Sequence, residues 1–242
     1  MEKGILTGIG VGPGDPELMT IKAVNAIRDA DVLILPASDR AGCRAYEIAR
    51  QICNEIGEKE CIFEPFPMSM DKEELHKFHE RVALKIGEVL DEGRNAAFLT
   101  IGDPSVYSTF GYIAAPVIAA GYRVERISGV TSFCAAANRL GVTLCEGKEN
   151  LHILAGFDDE KLPDDGDTRV FMKVSKNIAA LKDKLIKYEE DGKGRVYAVK
   201  DCGLPDEEVF YPAKDIADDT GYMTVIIAAK AGPDRRQIKD LE

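Results

Sequence analysis

The sequence lacks the features that mark membrane-spanning and nucleic-acid-binding proteins. No run approaches about 18 consecutive apolar residues, the length a spanning helix needs. Basic residues are outnumbered, with 31 Lys and Arg against 42 Asp and Glu, and the net charge is −11. An acidic chain repels phosphate backbones. We therefore predict neither a membrane nor a nucleic-acid partner.

Cysteine and histidine are also too sparse or too poorly spaced to indicate a metal site. None of the six cysteines forms a C-x-x-C pair, and only three histidines occur. His76 and His79 lie three residues apart on a predicted helix, where surface placement is favoured over a metal-ligand role. We predict buried free thiols and no bound metal.

A secretory leader is not indicated either. The first residues lack a basic region followed by a long apolar run, because Gly8, Gly10 and Gly12 interrupt it. These observations together predict a soluble, cytoplasmic protein.

Short apolar runs alternate with segments of helical period through the first half of the chain. Strands are predicted at residues 4–9, 32–35, 61–63, 96–101 and 122–127. Helices are predicted at 20–29, 44–56, 72–92 and 105–120, with Asp71 and Glu74 as a capping box. Such a βα series is typical of a mostly parallel sheet with helices on both faces.

The second half repeats this alternation less regularly. Helices are predicted at 131–140 and 178–190, and strands at 150–155, 169–174, 195–200, 208–211 and 223–229. A boundary near Ser128 and Gly129 divides the chain into domains 1–128 and 129–242. The predicted fold class is α/β, with two α/β domains.

Three glycine-containing loops follow three of the predicted strands, at residues 8–15, 102–105 and 129–132. In open parallel sheets, ligands bind outside the carboxyl ends of the strands, where glycines allow close backbone approach. The first loop does not fit G-x-G-x-x-G, and no Gly-Lys-Ser/Thr follows. A dinucleotide-binding fingerprint and a Walker loop are therefore disfavoured, although an ordinary strand–helix turn stays open for this loop alone.

The three loops together resemble the motifs of the tetrapyrrole methylases. The first is "GVGPGDPELMTIKAVNAIRDADVLI", the second "TIGDPSVYSTFGY" and the third "ISGVTSFCAAANRLGVTL". That family transfers methyl groups from S-adenosylmethionine to corrinoid and sirohaem precursors. The resemblance extends from Gly4 to about Ala229. Within the family, "GDPSVYSTF", "SFCAAANRLG" and "CRAYEIA" are similar to the C-20 methyltransferases of precorrin-2 or cobalt-factor II.

One departure from the family bears on this subdivision. The uroporphyrinogen methylases carry an Asp at the end of the second strand, where this chain has Pro36. Any role of that Asp is not transferred to this chain.

The resemblance implies two α/β domains with the cofactor in a cleft between them, and a homodimer. It places S-adenosylmethionine contacts at Pro13, Ile101, Gly102, Asp103, Val106, Thr131, Ser132, Met172, Cys202 and Met223. Residues 101–103 would contact the methionine end and the ribose, and Thr131 with Ser132 the methionine carboxylate or amine. Met172 would pack on the adenosine, whereas Cys202 and Met223 lie in looser motifs.

A tetrapyrrole substrate carries several carboxylates, yet the chain is acidic. Local cations are therefore predicted to bind it, and the candidates are Arg40, Arg44, Lys173 and Lys176. Tyr107, Phe110 and Tyr112 are interpreted as core residues, with stacking on the macrocycle as the alternative. The sequence identifies no catalytic residue. Asp15 is a candidate base, but capping of a helix just before Pro16 is the favoured interpretation.

Two further expectations concern the second loop. Asp103 is predicted either to bond the amides of a helix beginning at Ser105 or to orient the loop against the cofactor. Gly102→Val is expected to lose cofactor affinity by at least about tenfold while staying folded, with only a modest loss of stability if Gly102 has a negative φ. The alternatives to a C-20 methyltransferase are a methylase of different regiochemistry and a non-catalytic protein that binds S-adenosylmethionine.

Overall fold

The computed structural model of the chain describes residues 2–67, 71–158, 167–174 and 177–230. The chain divides into two compact units, Met1–Thr131 and Ser132–Glu242. The predicted domain boundary at 128–129 stays a prediction.

The first unit alternates strands and helices, as the periodicity predicts. Its elements are β1 Ile5–Gly10, α1 Ile21–Asp29, β2 Val32–Leu35, α2 Arg44–Ala49, β3 Glu60–Phe63, α3 Lys72–Asp91, β4 Ala96–Thr100, α4 Phe110–Ala119 and β5 Arg123–Ile127. Short 3-10 helices lie at Pro16–Leu18 and Asn54–Glu58.

The strands of this unit form a parallel sheet in the order β3-β2-β4-β1-β5. All of their carboxyl ends therefore lie at one edge. Gly8, opposite Phe98 in the register, has no side chain because a Cβ there would lie 2.4 Å from the Phe110 ring. Phe110 packs against Phe98, and both are fully buried in the core beneath α3 and α4.

Two predicted helices differ from the observed ones. The helix predicted at 44–56 ends at Ala49, and a separate 3-10 turn follows at Asn54–Glu58. The helix predicted to begin at Ser105 begins instead at Phe110. In that segment the Asp103 and Ser108 side chains accept hydrogen bonds from backbone amides, which competes with helix formation.

The second unit contains a mixed sheet. Its elements are α5 Ser132–Arg139, β6 Leu151–Ala155, β7 Thr168–Met172, α6 Ile178–Glu190, β8 Gly194–Lys200, β9 Glu208–Phe210 and β10 Thr224–Lys230. The strand order is β6-β7-β10-β8-β9; β6 and β7 are parallel, and the other pairs are antiparallel.

The course of β10 determines which loops meet in this unit. Both β7 and β8 run antiparallel to β10, so their carboxyl ends lie at the edge where β10 begins. Phe171, Leu181 and Ile226 belong to the core of this unit, which α6 covers on one side. Within the part of the chain that is described, no helix is both long and apolar enough to cross a membrane.

Candidate functional site

Three glycine backbones meet at the carboxyl edge of the first sheet. An ideal Cβ on Gly10 would lie 2.4 Å from Gly102 O, and one on Gly129 would lie 2.1 Å from the same oxygen. These distances are shorter than any real Cβ contact. The loops after β1, β4 and β5 therefore pack backbone against backbone, which no residue with a side chain permits.

A pair of hydrogen bonds joins the first two loops. Gly102 N donates to Gly12 O at 2.7 Å, and Gly12 N donates to Gly102 O at 3.4 Å. Both glycines have left-handed φ values, +77° at Gly12 and +71° at Gly102. The premise that Gly102 has a negative φ is therefore wrong. An added Cβ at Gly102 would have space, since its nearest neighbour is Val130 O at 4.0 Å, but its conformation would be strained.

Asp103 connects the second loop to the third. One carboxylate oxygen accepts hydrogen bonds from the backbone amide of Ser105, at 2.8 Å, and from its hydroxyl. The other accepts from Gly129 N at 3.0 Å. Burial acts to raise the pKa of the Asp103 carboxyl, but the hydrogen bonds that it accepts outweigh burial and hold the pKa below its ordinary value. Both oxygens thus serve to fix the loops.

The remaining predicted cofactor contacts of the first unit lie in or beside these loops. Pro13 is buried in the loop after β1, while Ile101 and Val106 are half-buried in the loop after β4. Thr131 lies in the third loop, and its hydroxyl oxygen is buried without a hydrogen-bond partner. Asp15 caps the 3-10 helix that starts at Pro16 by accepting from Glu17 N at 2.9 Å, so the N-capping interpretation is confirmed.

The two predicted cations of this unit do not lie on the glycine loops. Arg40 follows β2 and donates to Lys59 O at 3.0 Å, at the residue that precedes β3, so its guanidinium points to the opposite edge of the sheet. It also contacts Cys61 Sγ at 3.6 Å. Arg44 is exposed at the first position of α2.

Sequence reasoning missed two cations at the carboxyl edge. Glu64 directly follows β3 and is 2% exposed. Arg81 Nη2 lies 3.1 Å from one of its carboxylate oxygens, and Lys85 pairs with the other. The i,i+4 spacing of Arg81 and Lys85 on α3 is the signal that places both on one helix face.

In the second unit, three predicted cofactor contacts come together. Met172 ends β7, Cys202 follows β8 and Met223 precedes β10, all at one edge of the sheet. Asp201 N donates to Met223 O at 3.4 Å. The order of the strands in the sheet brings these residues to one edge. Hydrophobic periodicity in the sequence does not predict that order.

The other predicted residues of this unit lie on separate elements. The Lys173 ammonium, after β7, is 5.3 Å from the centroid of the Tyr222 ring. Ser132 begins α5. Lys176 lies outside the described residues.

One buried hydroxyl group fits a polar nucleoside cofactor. A buried hydroxyl without a hydrogen-bond partner costs free energy, and a ligand that bonds to it would remove that cost. Thr131 Oγ1 has this property and occupies the position to which the motifs assign the methionine carboxylate or amine. Among the described residues, no group of three or more His, Cys, Asp or Glu side chains is arranged to hold a metal ion.

Comparisons with known proteins agree with these motifs. The family model of the tetrapyrrole (corrin/porphyrin) methylases matches residues 5–217. A probable cobalt-precorrin-2 C(20)-methyltransferase of Methanocaldococcus jannaschii is 39% identical over 71% of this chain and 72% of its own. A precorrin-2 C(20)-methyltransferase of Sinorhizobium is 30% identical over 74% of this chain and 77% of its own.

A solved structure has the same fold. It is the uroporphyrin-III C-methyltransferase of Thermus thermophilus complexed with S-adenyl homocysteine. Its TM-score is 0.63 at 22% identity, and the alignment covers 94% of this chain and 98% of that one.

Proposed function

The chain belongs to the tetrapyrrole (corrin/porphyrin) methylases, and from that premise we propose that it methylates C-20 of precorrin-2 or of its cobalt complex. The observation that carries this proposal is the 39% identity to a probable cobalt-precorrin-2 C(20)-methyltransferase over 71% of the chain. The reaction is an S-adenosylmethionine-dependent C-methylation in the biosynthesis of cobalamin.

When bound, S-adenosylmethionine would supply the methyl group. An electron-rich carbon of the macrocycle would bond to that methyl as its bond to sulfur breaks, S-adenosylhomocysteine would leave, and the macrocycle would then lose a proton. What the protein must add is position, because holding the reacting atoms in line supplies much of the rate enhancement of such a transfer. We assign that role in the first unit to the packed loops around Gly10, Gly102 and Gly129. Their backbone contacts and the Asp103 bonds leave these loops little freedom.

The cofactor contacts that the motifs imply are proposals for this chain. In the first unit they are Pro13, Ile101, Gly102, Asp103, Val106 and Thr131. In the second unit they are Ser132, Met172, Cys202 and Met223. Asp103 also holds the loops in place, because both of its carboxylate oxygens accept hydrogen bonds from backbone amides of the second and third loops.

Recognition of the substrate carboxylates is proposed for Arg44, Lys173 and Lys176. Arg40 is not retained in this set, because its guanidinium points to the edge of the sheet opposite the glycine loops. Arg81 and Lys85 are added to this set, because they lie beside the carboxyl end of β3 and retain side chains that are 53% and 44% exposed. Arginine suits such a role because its planar fork matches a carboxylate.

We also propose that the protein functions as a homodimer. Large apolar side chains stay exposed on the first unit, including Ile21 at 81% and Leu84 at 72%. Exposed apolar groups are often interaction surfaces. Light scattering at micromolar concentration tests this, and the mass of a single chain would contradict it.

The cytoplasmic location and the absence of a nucleic-acid partner stay predictions.

The decisive experiment is methyl transfer under anaerobic conditions. The purified protein is incubated with S-adenosylmethionine and either precorrin-2 or its cobalt complex, in parallel. We expect S-adenosylhomocysteine and a singly methylated product whose new methyl group lies on C-20. A methyl group at another carbon would establish the methylase of different regiochemistry. Binding of S-adenosylhomocysteine without turnover of either substrate would establish a non-catalytic binding protein.

A further inference from the structure

The backbone of Tyr107 adopts a conformation that bulky residues avoid. Its φ is +47°, in the left-handed region, and its side chain is 44% exposed. Elsewhere the chain mostly gives this conformation to glycine, which occupies ten described positions with positive φ. Glycine would adopt it without the steric cost that a side chain adds. A tyrosine in this conformation is therefore a candidate functional residue.

Hydrogen bonds hold the segment on both sides of this residue. Before it, Val106 N donates to Asp103 O at 3.2 Å. After it, the Ser108 hydroxyl lies 2.9 Å from Thr100 Oγ1 and accepts from Phe110 N at 3.1 Å. The strained conformation is therefore imposed by the flanking residues, and the ring is presented from a fixed backbone.

Tyr107 also lies where ligands bind in this type of sheet. It belongs to the loop after β4, at the carboxyl edge of the parallel sheet, and open parallel sheets bind ligands outside the carboxyl ends of their strands. The neighbouring aromatic residues have other roles. Phe110 is fully buried, and Tyr112 is stacked on His79 with ring centroids 5.3 Å apart.

We propose that Tyr107 is a substrate-binding residue whose ring stacks on the flat tetrapyrrole and orients the carbon that receives the methyl group. This inference rests on the proposed function. An exposed aromatic ring on a fixed loop offers a large apolar surface with little loss of conformational freedom on binding. The ring contacts the substrate and not the cofactor. Loss of the ring should therefore weaken binding of the tetrapyrrole and leave binding of S-adenosylhomocysteine unchanged.

The test uses three variants of the whole protein. Tyr107→Phe retains the ring, Tyr107→Ala removes it, and Tyr107→Gly removes it and also relieves the backbone. Ile118→Ala is the matched control, because it removes a large exposed apolar side chain from the last turn of α4, at the other edge of the sheet. The measurements are KM for the tetrapyrrole that the wild type methylates, Kd for S-adenosylhomocysteine and the melting temperature.

We expect the Ala and Gly variants to raise KM at least about tenfold, while Tyr107→Phe and Ile118→Ala stay within about twofold of the wild type. Kd for S-adenosylhomocysteine should change less than about twofold in all four proteins. The Gly variant should melt higher than the Ala variant, since only alanine retains the left-handed strain.

Three results would overturn the inference while leaving the proposed function intact. They are an unchanged KM in Tyr107→Ala, a loss of cofactor affinity as large as the loss of substrate affinity, and a Gly variant that melts lower than the Ala variant. If the wild type methylates neither tetrapyrrole, the proposed function fails instead, and the role of Tyr107 fails with it.

Discussion

The backbone amide of Gly129 donates a 3.0 Å hydrogen bond to the Asp103 carboxylate, which links the loop after β4 to the loop after β5. The same carboxylate accepts from the amide and the hydroxyl of Ser105. One side chain therefore sets the relative position of two of the three glycine loops. Its loss should alter stability in a pH-dependent way.

Asp103→Asn should destabilise the protein by about 1–3 kcal/mol at pH 7, because an amide cannot accept at both of its ends. The pKa of the Asp103 carboxyl is lowered in the folded protein, so this stabilisation is complete above the unfolded value near 3.9. It is lost as pH falls through the lower folded value. Urea denaturation between pH 7 and pH 3 should show the difference between wild type and variant shrinking below about pH 4.

Asp15→Asn is the control for this prediction. Asn and Asp are equivalent helix caps, so the substitution should cost less than about 0.5 kcal/mol at pH 7. The difference in the free energy of unfolding between the wild type and Asp103→Asn is the measured quantity. If it stays constant or grows towards pH 3, the assigned role of the Asp103 carboxylate is contradicted.

Gly102 requires glycine for its φ of +71° and not for space. We expect Gly102→Ala to lower the free energy of unfolding by about 1–2 kcal/mol, and Gly102→Val by more, because a β-branched residue tolerates this conformation least. Gly111→Ala is the control: it lies in α4, where an added Cβ meets nothing within 4 Å, and should gain about 0.5 kcal/mol. Gly102→Val as stable as the wild type would contradict the left-handed φ.

Gly129→Ala should be much more costly, because its Cβ would lie 2.1 Å from Gly102 O and 2.9 Å from Gly10 O. Backbone atoms cannot move aside as a flexible side chain can, so we expect a loss of at least about 3 kcal/mol or failure to fold. Gly121→Ala separates strain from collision, since Gly121 has a φ of +85° and open space around it. It should lose only about 1–2 kcal/mol. Equal losses at the two sites, measured by chemical denaturation, would mean that the three glycine loops are not in contact.

The sequence predicts most of the first unit because local signals and tertiary packing agree there. Buried runs such as Val32–Leu35 are strands, and Asp71 caps α3 by accepting from the Glu73 and Glu74 amides. The predicted start of α4 at Ser105 was wrong. The Asp103 and Ser108 side chains accept hydrogen bonds from the amides of Ser105 and Phe110, and this competes with helix formation. Helix propensities of single residues do not include this competition.

The sequence also identifies the three loops but not how they fit together. The collision distances among Gly10, Gly102 and Gly129 depend on strand order, which periodicity leaves open. The cations show the same limit. Arg40 follows the correct strand, yet its guanidinium lies beside Lys59 O, whereas Arg81 on α3 reaches the carboxyl edge. Side-chain direction decides such assignments, and only the folded structure gives it.

Thr131 provides the most direct test of the cofactor site, because its expected effects on stability and on binding have opposite signs. Its hydroxyl oxygen is buried without a partner, so Thr131→Val should leave stability unchanged or raise it by up to about 1 kcal/mol. If the hydroxyl binds the cofactor, the same variant should lose about tenfold in affinity for S-adenosylhomocysteine, equivalent to about 1.4 kcal/mol. Thermal denaturation and titration calorimetry measure the two effects on one preparation.

Thr168→Val is the matched control. Thr168 Oγ1 is likewise buried without a partner, but it begins β7, at the other end of that strand from Met172. Its replacement should raise stability as at Thr131 and leave the affinity for S-adenosylhomocysteine unchanged. Two equally stabilised variants with unaltered affinity would show that the Thr131 hydroxyl is buried without binding the cofactor. The assignment of residues 131–132 to the methionine end would then fail, although the fold and the family would stand.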